Sequence, residues 1–118
     1  MDCQIDLDLA AEAASAKIAA LTMPGLQVDP LTWRDADEPW PQKFRTDRRS
    51  VSNPDSFGIR ARRAEAEGSL VLFDGGWTDL MFFDPRTEVE IIDSVGWDER
   101  LDLDSYASLV DRFFGLFR

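Results

Sequence analysis

The side chains that most often carry acid-base, nucleophilic or metal chemistry are scarce in this chain of 118 residues, which has no histidine and one cysteine, Cys3. Without imidazole, Ser-His-Asp and Cys-His arrangements cannot be assembled, and the commonest metal ligand is missing. Cys3, close to a terminus and without an evident activating partner, reads as an inert thiol. Carboxylates come in close pairs, Asp6 with Asp8, Asp35 with Asp37 and Asp102 with Asp104, but none sits in a calcium-loop pattern with its glycine and closing glutamate. Paired acids could serve a glycosidase, yet the chain shows no sign of a cleft to hold a sugar. No phosphate-binding or dinucleotide-binding glycine motif occurs, and Gly75-Gly76 falls between two apolar runs, where a hairpin turn accounts for both glycines. The expectation is a protein with no catalytic residues, no metal site and no cofactor.

The sequence offers recognition chemistry instead. From Asp74 to Asp104 ten acids face only Arg86 and Arg100, and Trp77 and Trp97 lie among them. Between Lys43 and Arg63 seven basic residues face two acids, a local balance of +5 in a chain of net charge −10. Acids speed encounter with a basic protein, and aromatic anchors lengthen the stay. Trp77, Asp79, Trp97, Asp98 and Glu99 are therefore candidate contact residues. Trp33 and Trp40 join them from a long proline-bearing loop, where each either folds the loop onto the body or serves as a binding hot spot. The structural alternative for the whole set is that the tryptophans pack and the acids solubilise exposed strands. A net charge of −10 disfavours nucleic acid, because phosphate contacts need a basic surface.

The elements that must position these residues follow from periodicity. Leu7, Ala11, Ala14, Ile18 and Leu21 recur at helical spacing, predicting an amphipathic helix from Asp6 to Leu21 that Pro24-Gly25 terminates. Pro30, Pro39, Pro41 and Pro54, with Asp35, Asp37, Asn53 and Asp55, predict a long irregular connection carrying one short strand at Leu26 to Val28. Beyond Pro54 the period becomes two: Phe57, Ile59 and Ala61 alternate with Gly58, Arg60 and Arg62. Leu70 to Phe73 and Trp77 to Phe83 read as a hairpin around Asp74-Gly75-Gly76, and Val89 to Ile92 follows the Asp84-Pro85-Arg86-Thr87 turn. Short turns favour an antiparallel meander of four strands. Asp104 is expected to cap a closing helix whose Tyr106, Leu109, Val110, Phe113 and Phe117 cover the sheet. The predicted fold is α+β, a single domain spanning residues 1 to 118, with a four-stranded antiparallel meander packed against an N-terminal and a C-terminal helix. One cysteine, no basic leader and no membrane-length apolar run predict a cytoplasmic protein that neither forms an internal disulfide nor enters a membrane.

The stretch Gly68 to Asp84, with a fourth strand and a closing helix after it, resembles bacterial polymorphic-toxin immunity proteins, and within them the TriTu family. The shared pattern is a strand ending in an aromatic and an acid, a tight glycine turn, then Asp-Leu opening an apolar strand that ends in Asp. It falls on Phe73, Asp74, Gly76, Asp79, Leu80 and Asp84, and the match runs over residues 53 to 117. The resemblance implies a partner: a toxin domain delivered between competing bacteria, of the ADP-ribosyltransferase type that modifies elongation factor Tu, bound one to one and neutralised by occlusion. An adaptor domain within a larger complex remains a second reading, and a histidine-free hydrolase reversing the modification a third.

Overall fold

The computed structural model describes residues 5–118, so Cys3 lies outside the described residues. The order is α1 (Leu7–Ala19), β1 (Leu26–Val28), β2 (Thr32–Asp35), a single 3-10 turn (Arg48–Ser50), β3 (Pro54–Arg63), β4 (Ala66–Phe73), β5 (Thr78–Asp84), β6 (Val89–Val95) and α2 (Leu103–Gly115). The architecture is α+β, with two helices and one open, wholly antiparallel sheet. Among the described residues the sheet has six strands, not the four expected. Strands β3 to β6 pair in sequence order, while β1 and β2 divide the outer edge of β3 between them.

Strand β2 was hidden because its inward positions are Trp33 and Asp35, so a carboxylate stands where alternation leads one to look for an apolar residue. Asp35 is buried and accepts hydrogen bonds from the Ser52 amide at 2.9 Å, the Asp37 amide at 3.0 Å, the Ser52 hydroxyl at 3.1 Å and the Asn53 amide at 3.3 Å. These donors, led by the Ser52 amide, hold its pKa below the ordinary carboxylate value. One buried anion thus closes the long connection from residue 36 to residue 53 onto the sheet.

Register separates the two faces of the sheet. Phe57, Leu72 and Thr78 form one row, Ile59, Leu70 and Leu80 the next, and Ala61, Gly68 and Phe82 the third; these point to the helices. Helix α2 presents Tyr106, Leu109, Val110, Phe113 and Phe114 to this face. Tyr106 meets Phe57 edge-on at 5.9 Å between ring centroids, and Phe82 meets Phe117 at 5.1 Å. Gly68 makes the close approach possible, since a Cβ there would lie 3.0 Å from Phe113 and 3.1 Å from Phe117. Each fully buried large side chain in these rows contributes about 1.5–3 kcal/mol of transfer free energy. Helix α1 packs against α2 and β3, and Lys17 reaches Asp111 of α2 at 2.8 Å.

The helix boundaries follow their caps. Asp6 caps α1 by accepting from the amides of Asp8 and Leu9. The cap of α2 is Asp102 rather than the expected Asp104: its carboxylate accepts from the Ser105 amide at 2.8 Å, and the Ser105 hydroxyl accepts in return from the Asp102 amide at 2.9 Å. Among the described residues no helix is long and apolar enough to cross a membrane.

Candidate functional site

Both helices lie on one face, so among the described residues the other face of the sheet carries no helical layer. Its rows are Gly58, Val71, Asp79 and Ser94; Arg60, Ser69, Met81 and Ile92; and Arg62, Glu67, Phe83 and Glu90. An antiparallel sheet with one wet face ordinarily alternates apolar inward with polar outward. Here the wet side is mixed: Met81 is 52 % exposed, Phe83 43 % and Ile92 70 %. Met81 and Ile92 are cross-strand partners, and Phe83 is two residues further along β5, so the three form one patch. Small Ser69 in β4 leaves a shallow groove of about 410 Å³ between this patch and Arg60 and Arg62 of β3.

At the opposite end of the strands stands an aromatic platform. The Phe73 ring stacks on Trp77 at 5.6 Å and 19°, and Trp77 stacks on Trp97 at 4.9 Å and 25°. The Arg34 guanidinium lies 5.8 Å from the Phe73 centroid, and the Arg100 guanidinium 5.3 Å from that of Trp77. Arg34 is itself held by a two-pronged pair with Asp55, at 2.9 and 3.1 Å.

Three glycines allow the platform to form. A Cβ on Gly75 would overlap the Trp77 ring at 1.9 Å, so that ring folds back over the turn only because Gly75 has no side chain. Gly76 and Gly96 hold φ of +91° and +107°, values that L side chains rarely adopt. A Cβ on Gly96 would also stand 2.5 Å from the Gly76 carbonyl oxygen. The two turns are further tied by the Leu101 amide donating to that carbonyl at 2.8 Å, and by Arg100 donating to the Gly75 carbonyl. Trp97 is thus 61 % exposed, with one face of its ring resting on Trp77.

Of the residues singled out from sequence, the structure stacks Trp77 on Trp97 and leaves Asp98 and Glu99 exposed next to Trp97 in the chain. Asp79 is exposed on the open face and accepts from the Ser94 hydroxyl at 3.1 Å. Asp98 and Glu99 are exposed beside Trp97, with no hydrogen bond or ion pair among the described residues. Trp40 is 86 % exposed on the loop after β2, and no aromatic contact joins it to the platform. Trp33 requires correction: at 4 % exposure it has no surface to offer a partner. It packs on Phe57 at 5.1 Å and carries the Arg48 guanidinium at 5.1 Å, so it anchors the loop to the core.

The segregation of charge along the sequence also changes in space. Arg45, Arg48, Arg49 and Arg62 pair with Glu38, Asp8, Asp47 and Asp29, so the basic segment largely neutralises acids nearby. In the acidic segment Asp84 is held by Arg86, whose hydrogen bonds lower its pKa; Asp93 pairs with Arg112, and Asp102 serves as a cap. Those three acids are structural; of the other seven in the segment, Asp79 and Glu90 stand in the rows of the open face, and Asp98 and Glu99 are exposed in the turn after Trp97.

Sequence reasoning missed Met81, Phe83 and Ile92 as surface residues. The usable signal was that β5 and β6 are apolar at both parities, while two helices can cover only one face. Among the described residues no group of three or more His, Cys, Asp or Glu is placed to hold a metal ion. Compared with protein-family models, with curated proteins and with solved structures, the chain matches none.

Proposed function

We propose that this chain is an immunity protein, acting in the cytoplasm, that binds a toxin domain and neutralises it by covering its active or substrate-binding surface. The observation that carries the reading is the uncovered sheet face, where Met81, Phe83 and Ile92 stand exposed in rows with Arg60, Arg62, Glu67 and Glu90, with exposed Trp97 at the other end of the strands. Interfaces of this kind pair an apolar or aromatic centre with a polar border, and binding energy concentrates in the central anchors. The net charge of −10 supports fast association with a basic toxin surface. The resemblance to TriTu-type immunity proteins on Phe73, Asp74, Gly76, Asp79, Leu80 and Asp84 supplies the partner class, an ADP-ribosyltransferase acting on elongation factor Tu. Asp79 lies on the open face, and Phe73 and Gly76 help build the platform beside it.

Occlusion requires stoichiometric protection. Titrating the toxin domain encoded beside this gene against the purified chain should abolish ADP-ribosylation near one equivalent. Protection by a small fraction of an equivalent, growing with time, would replace occlusion with enzymatic reversal. Absence of a complex would remove the proposal.

A further inference from the structure

The aromatic stack is unfinished at one end. Arg34, Phe73, Trp77 and Trp97 follow one another as a series of planar groups, and the only ring partner of Trp97 among the described residues is Trp77. The protein already uses guanidinium groups against this series twice, Arg34 at Phe73 and Arg100 at Trp77. Gly96, at φ +107°, seats the chain just before Trp97 against Gly76 and Trp77, and the Trp77 ring covers one face of the Trp97 indole, which limits the ordering that binding must supply. The exposed ring is bordered by Asp98 and Glu99, which have no partner among the described residues, and Asp79 lies on the same face.

We infer that the free face of Trp97 receives an arginine side chain of the neutralised protein, with the guanidinium stacked on the indole and its N–H groups turned to the surrounding carboxylates. This rests on the toxin-binding reading and specifies its chemistry. Arginine fits better than lysine because a planar, weakly hydrated guanidinium can stack and donate in several directions at once, whereas an ammonium is a strongly hydrated point charge. An exposed indole can also stack a nucleobase. The phosphates of a nucleotide would then approach Asp98 and Glu99 on a chain of net charge −10, and electrostatics oppose that occupant.

The test follows the four indole N–H signals of the intact chain by NMR, the Trp97 signal being identified with Trp97→Phe. Peptides carrying two arginines, two lysines or two citrullines, and AMP, are each titrated to millimolar concentration. The arginine peptide should move the Trp97 signal, the lysine peptide should bind several-fold more weakly, and citrulline and AMP should leave the signal in place. Equal responses to arginine and lysine, a response to AMP, or no response to the arginine peptide would each overturn the inference. So would an arginine response at the remaining indoles that is unchanged in Trp97→Ala. With the toxin domain itself, Trp97→Ala should raise the dissociation rate roughly 10-fold, within the range of a desolvated cation-aromatic contact. Toxin binding unaltered by Trp97→Ala would sink the arginine contact and leave the immunity reading standing. Failure of the unsubstituted chain to bind the toxin would sink that reading, whatever the peptides do.

Discussion

Substituting alanine at Gly96 tests whether the platform is as tightly built as its geometry indicates. The new Cβ would sit 2.5 Å from the Gly76 carbonyl oxygen and 2.8 Å from the Trp77 Cα, both backbone atoms, at φ +107°. Backbone strain alone costs about 1–2 kcal/mol for a residue with a Cβ in a left-handed conformation. Relieving the overlap requires the two turns to separate. That would cost the Leu101 amide bond to Gly76, about 1 kcal/mol net, and the Trp77–Trp97 stack, about 0.5–1.5 kcal/mol. The sum is about 2.5–4.5 kcal/mol, a large share of the roughly 5–15 kcal/mol that holds an ordinary domain folded. Gly25 provides the control, because its φ is +80° but nothing lies within 4 Å of a Cβ there. Gly25→Ala should therefore cost only the strain, about 1–2 kcal/mol. Urea unfolding followed by tryptophan fluorescence gives both values. Near-ultraviolet circular dichroism should lose the signature of coupled indoles in Gly96→Ala alone. Equal costs at the two glycines, or an unchanged dichroism spectrum in Gly96→Ala, would refute the close-approach argument.

Other consequences can be checked on the same instruments. The Tyr106 hydroxyl is fully buried with no hydrogen-bond partner among the described residues, and burial raises its pKa, so Tyr106→Phe should leave stability unchanged or raise it by about 1 kcal/mol. A loss of more than about 1 kcal/mol would mean that the hydroxyl has a partner after all. Asp35 has a depressed folded-state pKa, so its contribution is fully present above the unfolded value near 3.8 and is lost as pH falls through the lower folded value. Stability measured from pH 6 down to pH 2 should accordingly fall less steeply in Asp35→Asn than in the unsubstituted chain, whereas parallel curves would contradict the assignment. Met81→Lys and Ile92→Lys lie on the wet face, and each should change stability by no more than about 0.5 kcal/mol. A substantially larger loss in urea unfolding would mean that the open face is covered.

Elements whose residues obey one period were legible before the structure. Leu7, Ala11 and Ala14 announced α1, and Tyr106, Leu109, Val110 and Phe113 announced α2. The alternation of Phe57, Ile59 and Ala61 announced β3, and Gly75-Gly76 announced the β4–β5 turn. The misses share a physical cause, namely a residue whose partner is distant in sequence. Asp35 is buried because Ser52 and Asn53 come back to it, and that return cannot be read from Thr32 to Asp35 alone. Trp33 was left open between loop anchor and hot spot, and only the enclosure by Phe57 and Arg48, distant in sequence, makes it the anchor. Trp77 and Trp97, twenty residues apart, meet because Gly76 and Gly96 bring two turns together. Met81, Phe83 and Ile92 resembled core residues, since only the placement of both helices on one side leaves them in water.

The central claim is that the uncovered face binds and silences a toxin. The most direct test titrates an ADP-ribosyltransferase toxin domain of the proposed partner class with the unsubstituted chain and with the Met81→Lys/Ile92→Lys double variant, after both are shown to be equally folded. The account predicts complete inhibition near one equivalent by the former, and a loss of affinity of at least about 100-fold in the latter, as expected when central anchors are replaced by charge. Full inhibition by the double variant at one equivalent would contradict it and place the contact elsewhere on the molecule.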